Sequence, residues 1–145
     1  MRRSRKPSHR SGCPIGITLD MLGDPWTLLV VRDLMFKGAK SFGEFLAADE
    51  GIATNILSDR LNRLETSGIV EKRRDPTDAR RLIYRLTEKG IDLAPVMIEI
   101  VLWAANHEQT DAPRELMRTM RKDKAAFLAQ LRTRWRSAPR PAKSH

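Results

Sequence analysis

Side chains that can recognise a nucleic-acid base recur at helical spacing between residues 53 and 67. They are Thr54, Asn55, Ser58, Asn62 and Arg63. Amide groups pair bidentately with adenine, and a guanidinium group reads guanine or holds a phosphate. Leu57, Leu61 and Leu64 lie at i, i+4 and i+7, and so share the opposite face. This spacing predicts a helix over residues 53–67 that presents its polar face to a DNA groove. A solvated face without contacts is the alternative interpretation.

A basic segment follows this helix directly. Gly68 suits a left-handed helix end, and apolar residues at 69–70 and 82–86 predict an antiparallel hairpin around a turn. Four arginines of this wing, residues 72–82, are candidates for contact with the DNA backbone or the minor groove: Arg73, Arg74, Arg80 and Arg81. Because strand residues alternate between faces, we expect about half of them to touch DNA. Asp75 and Asp78 are expected to shape the turn rather than bind a metal.

The composition of the whole chain also favours a polyanionic partner. The 145 residues contain 27 Lys and Arg against 18 Asp and Glu, which gives a net charge of +9. Basic residues concentrate at the two ends and in the hairpin. Nucleic acid is the simplest partner for such a chain. A protein with basic tails and no role in nucleic-acid binding is the alternative.

Catalytic, metal-binding and membrane functions find little support in the sequence. The three histidines are His9, His107 and His145, and no metal-ligand spacing, nucleophile–base pair or Gly-rich phosphate loop occurs. We therefore expect neither an enzyme nor a cofactor. No run of about 18 apolar residues is present, and the basic start has no apolar h-region. With a single cysteine, Cys13, no internal disulfide can form. These features predict a cytoplasmic protein without a membrane partner.

The segments before the polar helix predict three further helices. The first spans Ile15 to Leu22, and the second begins at Asp24 and Pro25, a good N-cap followed by a preorganised first residue. Ser41 and Glu44 form a capping box for a third, short helix. Two short helices joined by a turn, the second with a polar face, make a helix-turn-helix. The predicted fold is mainly α with a small antiparallel β-hairpin, a winged helix-turn-helix that dimerises through its terminal helices.

A surplus of apolar residues beyond the hairpin predicts the dimer. Pro95 marks either a kink or the true start of the next helix. Seven residues of the first and the post-hairpin helices are the candidate interface: Ile17, Met21, Leu93, Val96, Met97, Ile100 and Val101. Two-fold symmetry then implies two half-sites, and hence a palindromic DNA operator. We divide the chain into a disordered basic arm (1–12), the winged domain with its dimerisation helix (13–108), a C-terminal helix interrupted at 121–124 (109–136), and a disordered basic tail (137–145).

The order of the motifs resembles a known family. Cys13-Pro14, LDMLGDPWTLLVVRDL, SFGEF, GIATNILSDRLNRLETSGIVEKR and YRLTEKG are similar to segments of the HxlR-type winged helix-turn-helix regulators, which are relatives of the MarR type. The resemblance covers residues 13–104. It implies a homodimeric transcription regulator, expected to repress, with one winged domain per subunit and a small-molecule or oxidant effector.

The resemblance also makes Cys13 a candidate redox sensor. Some regulators of this type use a cysteine near this position, through an intersubunit disulfide or alkylation. The neighbouring Arg10 would favour reactivity of the thiol, and an unreactive thiol packed beside the first helix is the alternative. For the protein as a whole, the alternative function is a sequence-tolerant architectural DNA-binding protein that uses its basic clusters without reading bases.

Overall fold

The computed structural model of the protein describes residues 10–48 and 50–139, which form eight helices and one two-stranded antiparallel sheet. In chain order these elements are α1 (Pro14–Leu22), α2 (Thr27–Met35), α3 (Phe42–Leu46), α4 (Thr54–Thr66), β1 (Val70–Arg74), β2 (Leu82–Leu86), α5 (Glu88–Ile91), α6 (Ala94–His107), α7 (Arg114–Lys122) and α8 (Lys124–Ser137). The predicted class, helical with a small hairpin, is confirmed. Most of the predicted basic arm and tail lies outside the described residues.

Asp24 and Ser41, the capping residues predicted for the second and third helices, both accept backbone amides, although α2 begins at Thr27, two residues after the predicted Pro25. Gly23 ends α1 by donating its amide to Leu19 O at 2.8 Å. Asp24 Oδ1 accepts the amides of Trp26 and Thr27 at 2.8 and 3.1 Å, so its side chain satisfies the free donors at the start of α2. Ser41 Oγ accepts the amide of Glu44 at the start of α3. The side chains of Asp24 and Ser41 therefore help to fix where α2 and α3 begin.

The helix at residues 54–66 is joined to the sheet by a Schellman turn. Gly68 has φ +75°, Ile69 donates its amide to Leu64 O at 2.9 Å, and Gly68 donates to Glu65 O at 3.0 Å. The chain then enters β1, which pairs with β2 in a register that sets Val70 opposite Leu86. With no loop between them, α4 and the hairpin occupy fixed relative positions.

One core unites the helices and the hairpin. Leu57, Leu61 and Leu64 of α4 are almost fully buried, as their spacing predicted. The rings of Phe45 and Tyr84 meet edge to face at 6.0 Å and connect α3 with β2. The sheet therefore packs against both helices of the helix-turn-helix, α3 and α4.

The helices after the hairpin differ in detail from the sequence-based expectation. Pro95 lies in the first turn of α6, so it marks the start of that helix rather than a kink inside it. The C-terminal segment forms two helices, because Asp123 leaves helical geometry at φ −154° and its carboxylate caps α8 by accepting the amide of Ala126. The second of these helices continues to Ser137, the first residue of the predicted tail.

Two further properties bear on function. No helix within residues 10–48 and 50–139 has the length and apolar character needed to cross a membrane. In the same part of the chain, no group of three His, Cys, Asp or Glu side chains is arranged to hold a metal ion.

Candidate nucleic-acid interface

The polar face of α4 points away from the protein body. All five side chains proposed from the sequence are exposed: Thr54, Asn55, Ser58, Asn62 and Arg63. Three of them, Asn55, Ser58 and Asn62, line one shallow groove together with Lys72 and Tyr84 of the hairpin. Sequence reasoning did not single out Lys72, although it begins the basic run of β1. The structure thus places the amide and hydroxyl groups of the helix beside a cation from the wing. The same groove also contains the carboxylates of Asp59 and Glu65, and Glu65 Oε1 lies 3.6 Å from Lys72 Nζ.

A charged side of α4 flanks this groove. Arg63 Nε lies 3.1 Å from Asp59 Oδ2, an i, i+4 ion pair on the surface of the helix. Arg60 also contacts Asp59, and its Nε donates to Asp24 Oδ1 at 2.9 Å. Arg60 therefore anchors α4 to the acidic residue that precedes α2. Because Asp59 is shared by two arginines, its negative charge is partly neutralised before any phosphate approaches.

The carboxylate of Asp24 anchors α4 to the start of α2. It accepts hydrogen bonds from two backbone amides of the α2 turn, from Thr27 Oγ1 and from Arg60. Burial by itself would raise the pKa of Asp24, but the hydrogen bonds from Thr27, Trp26 and Arg60 outweigh it and lower that pKa from 3.8 to about 2. One carboxylate therefore caps α2 and holds α4 across 36 positions of sequence.

Asp24→Asn is expected to lower the free energy of unfolding by about 1–2 kcal/mol near neutral pH, because Arg60 loses one of its two charged partners at a partly buried site. The folded pKa of Asp24, about 2, lies below the ordinary value of 3.8. The stabilisation by the Asp24 carboxylate is therefore complete when the pH is above the ordinary pKa of 3.8. It is lost as the pH falls through the folded pKa of about 2. Urea unfolding followed by tryptophan fluorescence should show the difference between wild type and variant narrowing over that interval. Asp111→Asn, in an exposed loop, is the control, and a difference that stays constant with pH would contradict the assignment.

The four arginines of the wing occupy different environments. The Arg80 side chain is 98% exposed and lies 3.9 Å from Asp78. Arg81 Nη2 lies 2.8 Å from Glu44 Oε1 and holds the base of the wing to α3. Arg74 Nη1 donates to Ala79 O at 2.7 Å within the turn, and Arg73 lies 3.8 Å from Glu71. Of the four, Arg80 extends furthest into solvent.

The two aspartates of the turn act as the sequence predicted. Asp75 Oδ1 accepts the amide of Thr77 at 2.9 Å, and Asp78 Oδ1 accepts the amide of Arg80 at 3.0 Å. The hydrogen bonds from the backbone and side chain of Thr77 lower the pKa of Asp75 below its ordinary value. Their role as turn-forming residues is confirmed.

The arrangement of α3, α4 and the hairpin has counterparts among known proteins. Residues 21–112 match the family described as HxlR-like helix-turn-helix. The chain belongs to the HxlR-like helix-turn-helix family. The matched region contains α2 to α6 and the hairpin, whereas α7 and α8 lie beyond it.

Relatives of this HxlR-like protein are named as transcriptional regulators, not as enzymes. One is the uncharacterised HTH-type transcriptional regulator sll1512 of Synechocystis, 41% identical over 86 residues, 59% of this chain and 63% of that protein. The chain thus spans about three fifths of the length of this relative. The HTH-type transcriptional regulator YodB of Bacillus subtilis is 37% identical over 93 residues, 63% of this chain and 82% of YodB.

Solved structures show the same fold. The reduced form of YodB from B. subtilis has a TM-score of 0.56 at 34% identity and covers 67% of this chain and 95% of its own. The redox regulator HypR in its oxidised form has a TM-score of 0.60 at 29% identity and covers 68% of this chain and all of its own. These likenesses confirm the resemblance that the motif order indicated.

An apolar face on α6 and α1 of the HxlR-like protein is left open to solvent. Val96, Ile100 and Trp103 are exposed to 43%, 44% and 62%, and they line a shallow apolar groove with Pro95. Three neighbouring large side chains of one helix in solvent are typical of a protein interface. Ile15 and Leu19 of α1 are also exposed, and the sequence-based list lacked both.

The structure corrects one member of the predicted dimer interface. Met97 is only 6% exposed and packs in the subunit's own core, because α6 turns this side of the helix inward. It is therefore unavailable to a partner subunit. Four other members are partly buried within the subunit: Ile17, Met21, Leu93 and Val101.

Cys13 is exposed at the N-terminal end of α1. Its amide donates to Ser11 Oγ at 3.0 Å. Arg10, which was expected to act on the thiol, instead pairs with Asp20 at 2.7 Å. The interpretation of Cys13 as a packed thiol is wrong for the isolated subunit, since the residue lies on the surface.

Proposed function

We propose that this chain is a sequence-specific DNA-binding transcriptional regulator that acts as a homodimer. The observation that carries this proposal is the exposed Asn55, Ser58 and Asn62 surface of α4 beside the basic hairpin. In the proposed complex α4 enters the major groove, and the wing at residues 72–82 lies on the backbone or in the minor groove. The name given to the family and to its relatives supports the same function.

The dimensions of α4 fit a DNA groove. Its 13 residues make a rod about 20 Å long. The major groove is about 12 Å wide and admits a helix of this kind. Because buried leucines hold the opposite face, and Asp24 holds Arg60, the polar face keeps one orientation. Asn55, Ser58 and Asn62 would then read base edges, while Thr54 and Arg63 would contact the two ends of the site.

The geometry of a symmetric dimer supports repression as the mode of action. Two copies of α4 in a symmetric dimer would occupy half-sites about 34 Å, or a multiple of that distance, apart. A dimer bound over such a length excludes other proteins from that DNA. We therefore propose repression by occupancy of a palindromic operator. Because the proposed function is binding to DNA, we propose that the protein works in the cytoplasm.

Selection of bound sequences from random duplex DNA tests the proposal. The expected result is a palindromic site bound at least about 10³-fold more tightly than a scrambled duplex at fixed salt. The exposed basic wing also suits an architectural protein that ignores sequence. Enrichment of no sequence, with a ratio far below that value, would establish the architectural function and overturn the proposal.

Arg80→Ala is expected to weaken binding to operator and to scrambled DNA alike. The reason is that Arg80 is placed to neutralise a phosphate, a contact that carries no sequence information. Each lost phosphate contact should reduce the log–log salt slope by about 0.9 per subunit. Fluorescence anisotropy over a series of salt concentrations measures that slope. Arg118→Ala, on the exposed side of α7, is the matched control. An unaltered slope for Arg80→Ala would remove Arg80 from the interface, and Arg73, Arg74 and Arg81 would be tested next.

Oxidation of Cys13 is proposed as a regulatory input. The thiol is exposed, and a structural relative is named as a redox regulator. Diamide should take two electrons and two protons from a pair of Cys13 thiols and leave one intersubunit disulfide. A covalent dimer should then appear on a non-reducing gel, disappear with dithiothreitol, and be missing in Cys13→Ser. Failure of wild type to crosslink would assign Cys13 no such role and leave the DNA-binding proposal in place.

A further inference from the structure

A cavity of about 260 Å³ lies between α2, β2 and the end of α8. Leu34 and Phe36 form its wall on the α2 side, and Leu86 contributes from the strand. Leu131 and Trp135 close it from α8. Since α8 lies beyond residues 21–112, this cavity is partly built by a segment outside the family match.

Hydrogen bonds between β2 and α8 hold the cavity wall in place on the side of α8. Trp135 Nε1 donates to Leu86 O at 2.8 Å, and Arg85 Nη2 donates to Trp135 O at 2.6 Å. The guanidinium carbon of Arg85 lies 4.7 Å from the centre of the Trp135 ring. Strand and helix are therefore fastened together across the cavity, so the space is a fixed feature of the fold.

Three cationic side chains line this otherwise apolar space. They are Lys40, Arg85 and Arg134, and among the described lining residues no Asp or Glu occurs. Arg85 is only 8% exposed, so its guanidinium lies in a setting of low dielectric. A ligand carboxylate in such a setting gains more from charge-assisted hydrogen bonds than it would at the surface. The lining is thus complementary to a molecule with an apolar body and one negative charge.

The volume limits the size of such a ligand. Liquid water takes about 30 Å³ per molecule, so the cavity corresponds to roughly nine waters. A ligand of about ten non-hydrogen atoms matches that space. The cavity volume of about 260 Å³ lies just below the range of about 300–1,000 Å³ that is typical of ligand pockets.

We propose that the cavity under α8 is a binding site for a small amphipathic monocarboxylate. The apolar body lies among Leu34, Phe36 and Leu131, and the carboxylate lies toward Lys40, Arg85 and Arg134. Binding requires neither DNA nor a second subunit. Any effect of the ligand on DNA affinity would rest on the proposed regulator function, so the test measures binding alone.

Calorimetric titration of the full chain with octanoate tests the site. Octanoate has ten non-hydrogen atoms, and octanamide and octylammonium are probes of matched length without the negative charge. The expected result is saturable binding of one octanoate per chain, at least about tenfold tighter than binding of either control probe. The absence of saturable heat at millimolar octanoate, or equal binding of octanamide, would overturn the proposal.

Two pairs of variants locate the bound molecule. Ala138→Phe places a ring in the cavity and should abolish binding, whereas Ala129→Phe on the exposed side of α8 should not. The double variant Lys40→Gln with Arg134→Gln should reduce the preference for octanoate over octanamide threefold or more. The matched control, Lys37→Gln with Arg136→Gln, should retain it. Circular dichroism and thermal unfolding confirm the fold of each variant. Binding that survives Ala138→Phe, or a preference unaffected by the first double variant, would show that the site is elsewhere.

Discussion

Val96→Glu is expected to convert the proposed homodimer into monomers. Val96 lies on the exposed apolar face of α6 beside Ile100 and Trp103. In a two-fold interface one substitution introduces two unpaired charges, and each such buried charge costs on the order of 3–5 kcal/mol. Light scattering should report half the mass. Operator binding should fall at least about 100-fold, because a monomer holds one half-site only.

The matched control for this variant is Leu116→Glu. Leu116 is likewise a large exposed apolar residue, but it lies on α7, outside the proposed interface. It should leave the dimer intact. A persistent dimer for Val96→Glu, or dissociation by both variants, would show that the subunits meet through another surface. Since Met97 is buried in the subunit, it is not a suitable site for this test.

Asn62→Ala is expected to relax sequence preference at one base pair of each half-site. The Asn62 amide is exposed in the groove between α4 and the wing, where it can make a bidentate contact with adenine. Loss of that contact should reduce discrimination at this position by about 1–3 kcal/mol. Competition binding with a set of single-base-pair operator variants measures the effect.

The remainder of the operator should still be recognised by Asn62→Ala. Gln130→Ala removes an exposed amide from α8 and should leave the whole preference unchanged. A loss of affinity that is equal for every operator variant would indicate a contact with the backbone instead. An unchanged preference at all positions would refute the base-reading role of Asn62.

The local elements were predictable because their determinants are close together in the sequence. The leucine spacing of α4 defined its buried face, and Gly68 marked the left-handed turn that joins it to β1. Asp24, Ser41 and Thr87 cap their helices through atoms no more than three residues away. Such short-range preferences operate without knowledge of the remaining chain.

The choice among similar residues was not predictable from the sequence. Arg80, Arg81 and Arg74 have the same chemistry, yet Arg81 pairs with Glu44, which is 37 positions away, and Arg74 folds back onto Ala79. Met97 has the same apolar character as Val96, but the rotation of α6 about its axis buries one and exposes the other. These outcomes depend on which distant surfaces meet.

By itself, the sequence determined the helix-turn-helix, the hairpin and the polar face of α4, because hydrophobic period and capping are local properties. Only the tertiary structure decided that Asp24 holds Arg60, that Arg80 extends furthest into solvent of the four wing arginines, and that α8 encloses an apolar cavity beside Arg85. Each of these depends on contacts between segments separated by tens of residues. These contacts form only when the whole chain packs, so they cannot be predicted from a short segment of the sequence.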